Sequence, residues 1–279
     1  MKLYKNGIRI VLEHEEKFYG VDYQWDELIN RKKLYQFLLL QMNALQEIEP
    51  PDFNQPFDPP IGSQELWAAG VTYLRSKEAR EKESAQSGGG SFYDKVYDAK
   101  RPELFFKSLP SRIAGHNDRV HIRKDSTWDV PEPELTLFIS SDQTIEGYTV
   151  GNDMSSRSIE GENPLYLAQA KVYDRSAALG PCLLVLENPI SEETAIKLNI
   201  YRHNEKVFSG ETSISKIKRP LQELADYLFL ETSFPKGVML MTGTGVVPPD
   251  EFTLQEEDRV EISIDGIGTL INYVKKNNK

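Results

Sequence analysis

The sequence predicts an α+β fold that is mostly β: a mixed β-sandwich or β-roll with peripheral helices and a small N-terminal domain. The first observation is a series of short segments rich in β-branched and aliphatic residues, which is typical of strands. These segments are Glu134–Ser140, Ile145–Val150, Leu183–Leu186, Lys197–Tyr201, Val238–Thr242 and Arg259–Ile264. The second observation is that strands and helices do not alternate along the chain, which argues against a doubly wound parallel sheet.

Residues 1–60 are predicted to form the small N-terminal domain, and residues 61–279 the larger one. The first part contains a strand pattern at Ile8–Leu12 and apolar residues at helical spacing over Leu34–Leu45. It ends in the connector Glu49–Pro60, which contains five prolines and few residues suited to a core. The helices predicted in the larger part are Leu74–Ser84 and Pro220–Phe229.

The charge balance narrows the possible partners. With 33 basic and 43 acidic residues, the 279-residue chain carries a net charge of −10, which disfavours nucleic acid and anionic lipid. The N-terminal residues contain no apolar run long enough for a signal peptide or a membrane span, so the cytoplasm is the expected compartment. The single cysteine, Cys182, cannot form an internal disulfide, and its apolar neighbours predict that it is buried.

Two glutamates, Glu132 and Glu134, form the strongest candidate for a functional site in the sequence. Glu132 is flanked by Pro131 and Pro133, which remove backbone donors and force an extended chain. In an extended chain, residues two apart share a face, with Cα atoms roughly 6.5–7 Å apart. Glu132 and Glu134 therefore point the same way, and they are either a cation site or charges of an edge strand that face water.

A third carboxylate follows from the predicted hairpin. The turn signal Ser141–Thr144 separates two predicted strands, and a hairpin centred near Gln143 pairs Glu134 with Asn152, next to Asp153. Three converging carboxylates without a cation would repel one another strongly. Oxygen ligands with no His or Cys nearby favour Mg²⁺, with Mn²⁺ or Ca²⁺ as alternatives, over Zn²⁺.

Four segments succeed one another in a distinctive order: Pro131–Leu135, Gly147–Arg157, Gln169–Pro181 and Thr242–Gly245. The first two resemble the metal-binding core of the fumarylacetoacetate hydrolase family. The third resembles that family's lysine segment, and the fourth resembles its Thr-Gly-Thr loop. Order and spacing match over roughly residues 62–279, whereas the first 60 residues match only as a divergent N-terminal domain.

The resemblance implies roles for individual residues. Glu132, Glu134 and Asp153 become metal ligands in a fold of the family's C-terminal type. Lys171 becomes a catalytic group, although by itself it would be interpreted as a surface lysine. The resemblance further implies two residues at the substrate, Thr244 at its carboxylate and Arg157 beside the ligands.

One departure from the family pattern bears on the reaction. Hydrolase members carry a histidine that activates water, and this chain has Ser76 where that histidine would stand. The histidines of this chain, His14, His116, His121 and His203, lie outside the family segments. Without such a base, water attack loses a general-base contribution of roughly 10²–10⁴-fold. Hydrolysis of a carbon–carbon bond is therefore disfavoured.

Three other segments, Gly70–Tyr73, Phe92–Lys107 and Glu160–Leu167, resemble the branch of the family that dehydrates 2-keto-3-deoxy sugar acids. By that resemblance Glu103 becomes a proton carrier together with Lys171, in an order that the sequence does not fix. The residues expected to contact substrate from these segments are Tyr73, Arg75 and Phe106.

The predicted function is thus a metal-dependent lyase acting on a small 2-oxo acid of sugar acid catabolism. A hydrolase, isomerase or decarboxylase of an acylpyruvate or dienedioate remains an alternative within the family. A catalytically silent metal-binding protein is the alternative of another class. The glycine-rich stretch Ser84–Ser91 is either a solvated linker or a lid near the metal, and the family suggests a homodimer or a higher homo-oligomer.

Overall fold

The computed structural model describes residues 1–74 and 95–277, and over these residues the protein is mostly β. The strands are β1 (Lys2–Asn6), β2 (Arg9–His14), β3 (Lys17–Val21), β4 (Gln46–Ile48), β5 (Glu65–Gly70), β6 (Glu103–Ser108), β7 (Ile113–Ala114), β8 (Asp118–Ile122), β9 (Asp129–Ile139), β10 (Ile145–Ser156), β11 (Ala177–Leu184), β12 (Ala195–Arg202), β13 (Glu205–Ser213), β14 (Val238–Met241), β15 (Arg259–Ile264) and β16 (Gly268–Lys276). The α-helices are α1 (Trp25–Ile29), α2 (Leu34–Gln41), α3 (Arg157–Glu162), α4 (Leu167–Lys171) and α5 (Leu221–Phe229), and residues 95–98 are also helical.

The strands form two packed sheets. The larger sheet has the order β4-β3-β2-β1-β11-β10-β9-β14-β5-β6, with β7 added beside β11, and the smaller has the order β13-β12-β15-β16-β8. One core lies between the sheets, where Leu135 and Val150 meet Leu198 and Val260. A second core covers the other face of the larger sheet with residues of α1 and α2. The predicted mostly β sandwich is confirmed.

The N-terminal residues extend the larger sheet. Strand β1 pairs antiparallel with β11, through Lys2 opposite Leu184 and Leu3 opposite Leu183. Leu3 and Leu28 are fully buried in the same core as Leu66, which lies in β5. Residues 1–60 therefore share a sheet and a core with the larger, C-terminal part of the chain, and a domain boundary near residue 60 stays a prediction.

Strand β9 is longer than predicted and is bonded unevenly. It begins at Asp129 and runs through Pro131 and Pro133, whereas the sequence predicted a start at Glu134. Strand β14 pairs with β9 only along Thr136–Ile139, so β14 leaves the proline-containing half unpaired on that side. Proline lacks a backbone N–H and is tolerated where a strand is bonded on one side only. The sheet opens at this point, next to Glu132 and Glu134.

Two predicted helices are present among the described residues, whereas α1, α3 and α4 were not predicted. Helix α2 covers Leu34–Gln41 and continues as a 3-10 turn over Met42–Ala44, and α5 covers Leu221–Phe229. The predicted helix Leu74–Ser84 lies almost wholly outside the described residues. None of the described helices is long and apolar enough to cross a membrane.

Candidate metal centre and active site

The register of β9 against β10 brings the predicted acids together. Asp153 lies opposite Glu132, and Glu134 lies opposite Gly151. The sequence prediction, Glu134 opposite Asn152, is wrong by one residue. The turn is centred on Asp142 rather than Gln143, since Ile145 lies opposite Ile139, and this alone would place Glu134 opposite Val150. One extra residue in β10, Glu146, lies between Ile145 and Gly147 and shifts the partner of Glu134 to Gly151. This is a β-bulge, in which two residues of one strand oppose one of the other.

The bulge determines which face Asp153 occupies. Residues directly opposite one another in an antiparallel pair point to the same face, and a slip of one residue exchanges the faces. In the predicted register Asp153 would oppose Pro133 and point away from Glu132 and Glu134. In the observed register Asp153 opposes Glu132, so all three carboxylates point to one face of the larger sheet.

The three carboxylates form a compact buried cluster. Glu132, Glu134 and Asp153 are 4%, 2% and 1% exposed, and each offers an oxygen within 4.8 Å of the others. All three donors are hard carboxylate oxygens, the ligand type that suits Mg²⁺ and related cations. The residues present therefore fit a divalent oxygen-ligated cation. The interpretation of Glu132 and Glu134 as water-facing edge charges does not agree with their burial.

The pKa values in the cluster move in opposite directions. Burial, followed by repulsion from Asp153 and Glu132, raises the pKa of Glu134 well above its usual value. Burial alone would also raise the pKa of Asp153, but the neighbouring ammonium groups of Lys107 and Lys171 outweigh burial and lower it. For Glu134, attraction to the nearby Lys171 is outweighed by burial and by repulsion from the other two carboxylates.

Three cationic side chains surround the cluster. Lys171 Nζ donates hydrogen bonds to Glu132 Oε2 and, at 3.1 Å, to Asp153 Oδ2. Arg157 donates to Glu132 Oε1 at 2.7 Å, and Lys107 Nζ lies 2.6 Å from Asp153 Oδ1. Lys171 and Lys107 are both completely buried, so the interpretation of Lys171 as a surface lysine is wrong. The three basic side chains thus contact two of the three carboxylates, Glu132 and Asp153.

The Thr242–Gly245 loop closes one side of the site. Gly243 has a positive φ of 92°, which favours glycine, and its N–H donates to Glu134 Oε2 at 2.6 Å. Thr72 holds this loop, because its hydroxyl donates to the Thr242 carbonyl at 2.6 Å. Thr244 lines the cavity that contains the carboxylates, and its hydroxyl donates to the Val246 carbonyl at 3.1 Å.

Strand β6 forms another side of the site, with alternate residues directed inward. Glu103 and Phe105 share one face of the strand by its two-residue period, and Lys107 reaches Asp153 from a β-bulge between Phe106 and Ser108. Phe105 lines the cavity together with Glu132 and Asp153. Phe106 points to the other face and packs against Trp67, with ring centroids 6.1 Å apart. Phe106, the predicted substrate contact, thus lies on the face of β6 away from the cavity, which is lined by its neighbour Phe105.

Two further predicted contacts differ in how far the structure describes them. Tyr73 is 2% exposed, and burial together with the charge of Glu134 raises the pKa of its hydroxyl. Its ring lies against Gly245, where a Cβ would come within 2.7 Å of the Tyr73 Cε1 atom. Arg75, Ser76 and the Ser84–Ser91 stretch lie outside the described residues.

The family model for the C-terminal domain of fumarylacetoacetate hydrolase matches residues 66–275 of this chain. The chain belongs to the fumarylacetoacetate hydrolase family. The match begins in β5 and ends in β16, so it includes every residue of the carboxylate cluster and the three cations around it.

Within the fumarylacetoacetate hydrolase family, the relatives at high identity carry dehydratase names. The chain is 48% identical over 218 residues to a probable 2-keto-3-deoxyxylonate dehydratase of Haloferax volcanii, which covers 77% of this chain and 73% of that one. It is 41% identical over 251 residues to 2-dehydro-3-deoxy-D-arabinonate dehydratase of Saccharolobus solfataricus, covering 88% and 80%. A solved structure, 2-keto-3-deoxy-D-arabinonate dehydratase complexed with magnesium and 2,5-dioxopentanoate, superposes with a TM-score of 0.84 and 33% identity over 100% of both chains.

Sequence reasoning missed two residues of this fumarylacetoacetate hydrolase site, Phe105 and Lys107. The available signal was the short apolar run Leu104–Phe106 between Glu103 and Lys107, which is consistent with a buried strand. In such a strand Glu103 and Phe105 face the same way. The carboxylate cluster next to β6 explains why Lys107 is buried.

Proposed function

We propose that this chain is a divalent-cation-dependent dehydratase that converts a 2-keto-3-deoxy sugar acid into a 2-oxo acid semialdehyde. The observation that carries the proposal is the contact of the buried Lys171 Nζ with Glu132 and Asp153. This contact places an amine beside a carboxylate cluster that suits a cation. A base next to a bound cation is the combination needed to remove a proton from the carbon adjacent to a carbonyl. The relatives at 41% and 48% identity, both named as dehydratases, support the same reaction.

Glu132, Glu134 and Asp153 are the residues that would hold the cation, with Mg²⁺ as the first choice and Mn²⁺ or Ca²⁺ as alternatives. The solved relative that carries magnesium supports this choice. A bound divalent cation supplies Lewis-acid stabilisation of the negative charge that develops on the C2 oxygen as a proton leaves C3.

Lys171 is proposed to take the proton from C3. Lys171 Nζ contacts two of the three carboxylates. A C2 carbonyl held at this cluster would therefore lie beside the amine, and C3, which is bonded to C2, would bring its hydrogens near the same amine. The side chain is fully buried, so bulk water does not compete for that proton. Lys171→Met should therefore lower kcat by at least roughly 10²-fold, within the range of general-base contributions.

Glu103 is proposed to protonate the hydroxyl group that leaves C4. Its Oε2 is buried and has no hydrogen-bond partner among the described residues, and its carboxylate lies against Gly70, which lines the cavity. Loss of hydrogen from C3 and hydroxyl from C4 releases one water and leaves a C3–C4 double bond conjugated with the C2 carbonyl. Moving a proton from C5 to C3 then gives a C4–C5 enol, and transfer of the enol hydroxyl proton to C4 leaves an aldehyde at C5.

The remaining side chains are proposed to bind substrate. Thr244 would contact the carboxylate, and Arg157 would fix Glu132 beside it. Tyr73 and Phe105 would line the chain of the sugar acid, with Phe105 taking the place predicted for Phe106. Arg75 is retained from the sequence as a further candidate contact.

The deciding experiment compares substrate classes and separates the two proton carriers. Purified protein with Mg²⁺ is incubated with 2-keto-3-deoxy pentonates and hexonates and, side by side, with acylpyruvates, and the products are identified. We expect a semialdehyde from the pentonates, a 2,5-dioxo acid from any hexonate that reacts, and loss of activity on chelation. Carbon–carbon cleavage of acylpyruvates without any dehydration would support the hydrolase alternative instead, and metal binding without any turnover would support the silent protein.

Deuterium exchange at C3 tests the division of roles. In D₂O, Glu103→Gln should keep exchange at C3 while losing water elimination, and Lys171→Met should lose both. The opposite pattern would exchange the roles of Glu103 and Lys171.

Assembly and compartment are a subsidiary part of the proposal. We expect a homodimer or a higher homo-oligomer that works in the cytoplasm. Sedimentation equilibrium of the purified chain tests the first expectation, and fractionation of the native cell tests the second. A monomer at micromolar concentration would contradict the assembly without affecting the proposed reaction.

A further inference from the structure

Lys107 is a completely buried cation for which the proposed reaction has no use. It lies in β6, and its Nζ is 2.6 Å from Asp153 Oδ1 and 3.1 Å from the Met154 carbonyl. A third hydrogen bond goes to the backbone carbonyl of Lys171. One ammonium group thus joins a candidate metal ligand to the main chain of the candidate proton carrier.

The hydrogen-bonding capacity of Lys107 is fully used. A lysine ammonium has three donors, and the three oxygens of Asp153, Met154 and Lys171 account for all of them. Lys171 differs, because the two partners of its Nζ are both side-chain carboxylates of the cluster. The two buried lysines therefore have different environments: Lys107 is tied to two main-chain carbonyls and one carboxylate, whereas Lys171 Nζ contacts two carboxylates of the cluster.

The carbonyl that Lys107 holds is at the end of helix α4. Lys171 is the last residue of that helix, and the last carbonyls of a helix have no partner within it. The Lys171 carbonyl is satisfied by Lys107 and also by Ser176, whose hydroxyl donates to it at 2.9 Å. Strand β6 and the start of β11 thereby fix the end of α4 from two sides.

We infer that Lys107 is a positioning residue that fixes the backbone of Lys171 relative to Asp153 and acts on the reaction only through Lys171. Without this tie, the end of α4 can move, and the Lys171 amine loses its alignment with the carboxylate cluster. The inference rests on the proposed function in one respect, namely that Lys171 carries the proton.

A double-mutant cycle tests whether Lys107 acts through Lys171. Lys107→Met keeps the length of the side chain and removes its three donors, and we expect kcat to fall about 10- to 100-fold, the usual cost of losing a supporting partner. In a Lys171→Met background the same substitution should change the residual rate by less than about threefold. Multiplying effects would overturn the inference, because they mean that Lys107 acts by itself or supports the whole site. A Lys107→Met enzyme with wild-type kcat would overturn it as well.

The matched control is Lys197→Met, which removes a half-exposed lysine from β12 in the other sheet. It should leave kcat within about twofold of wild type. If Lys107→Met does not fold, Ser176→Ala removes the second donor to the same carbonyl. A smaller fall in kcat that disappears in the Lys171→Met background supports the inference, and unchanged kcat in Ser176→Ala counts against it.

A measurement without metal or substrate separates this inference from the proposed function. Amide hydrogen exchange over residues 167–176 should become at least about tenfold faster in Lys107→Met, with β15 unchanged. If wild type dehydrates no 2-keto-3-deoxy acid, the proposed reaction fails, and this exchange alone decides whether Lys107 holds α4. Unchanged exchange over residues 167–176 would overturn the positioning role even in an active dehydratase.

Discussion

Asp153 lies directly opposite Glu132 in the β9–β10 pair, and Lys171 donates hydrogen bonds to both carboxylates. The carboxylates come from neighbouring strands of one sheet, so their spacing is set by backbone hydrogen bonds rather than by a loop. Such a rigid frame suits a metal site, whose ligands must hold their geometry. The metal ligands, the proton on Glu134 and the packing around Glu103 can each be tested separately.

The first prediction concerns the ligands. Asp153→Asn and Glu132→Gln should each weaken Mn²⁺ binding by at least about 100-fold. Loss of a ligand should reduce metal affinity at least as much as loss of a residue that only hydrogen-bonds a ligand, which costs about 10- to 100-fold. Free Mn²⁺ is measured by electron paramagnetic resonance during titration of each folded variant. Asp142→Asn, an exposed change in the turn of the same hairpin, is the control and should bind like wild type. Unchanged affinity in Asp153→Asn would remove this residue from the ligand set.

The second prediction concerns the proton on Glu134. Burial and the charges of Asp153 and Glu132 raise its pKa, so the group keeps its proton to higher pH than an ordinary glutamate. A carboxylate ligand must be ionised, so cation binding should expel this proton and tighten as pH rises. Calorimetry of Mg²⁺ binding in buffers of different ionisation heat should report proton release, and the number of protons released should fall as pH rises. A binding heat that is independent of the buffer would contradict this.

The third prediction concerns the space around Glu103. Gly70 lies opposite Glu103 in the β5–β6 pair, and a Cβ there would come within 2.6 Å of the Glu103 Cδ atom. Because the overlapping group is the end of a flexible side chain, Gly70→Ala should fold and displace the carboxylate. We expect its kcat to fall to the level of Glu103→Gln, with less than about a threefold change in KM. Gly20→Ala is the matched control, since a Cβ there meets only Ile48, at 3.8 Å.

The fourth prediction concerns stability and pH at Asp129. This residue is 3% exposed, and burial raises its pKa from 3.8 to about 6. The folded state therefore holds the proton more tightly than the unfolded state, and stability is lost as pH rises from about 4 through 6. The full loss, reached above pH 6, is about 3 kcal/mol.

Asp129→Asn removes this loss. The variant should have a larger free energy of unfolding than wild type at pH 8, by up to about 3 kcal/mol, and nearly the same value at pH 4. Urea unfolding at the two pH values measures the difference. An equal gain at both pH values would show that the gain does not come from titration of Asp129.

The sequence predicted the carboxylate pair well because proline rules act locally. Pro131 and Pro133 force an extended chain at Glu132, and an extended chain has a known period. The register of Asp153 was wrong by one residue because the turn is centred on Asp142 rather than Gln143, and the bulge at Glu146, which no local sequence signal marks, compensates only half of that shift. Burial of Lys171 could not be predicted either, because it depends on carboxylates of strands β9 and β10. Its role rests on the family resemblance.

The residues of β6 beside the site were predicted less completely than the carboxylate cluster itself. Phe106 was preferred to Phe105 although the two-residue period of β6 separates them, since β6 itself was not predicted as a strand. Lys107 was not singled out because a lysine near a strand end is ordinarily exposed. Strand β6 forms because it pairs with β5, which is far away in sequence, and local propensity carries no information about such a partner.

The extra residue in β10 gives the molecule a remote point of control over its metal ligands. Glu146 precedes Asp153 by seven residues, which in an extended strand is roughly 23 Å. Its side chain accepts the backbone N–H groups of Lys33 and Leu34 at 3.0 and 2.9 Å, so it also caps the start of α2. Helix α2 thus anchors Glu146, the bulge residue that decides which side chains of β10 point to the face with the carboxylate cluster. A change far from the reaction site that removes this bulge would turn Asp153 to the opposite face of the sheet and inactivate an otherwise intact enzyme.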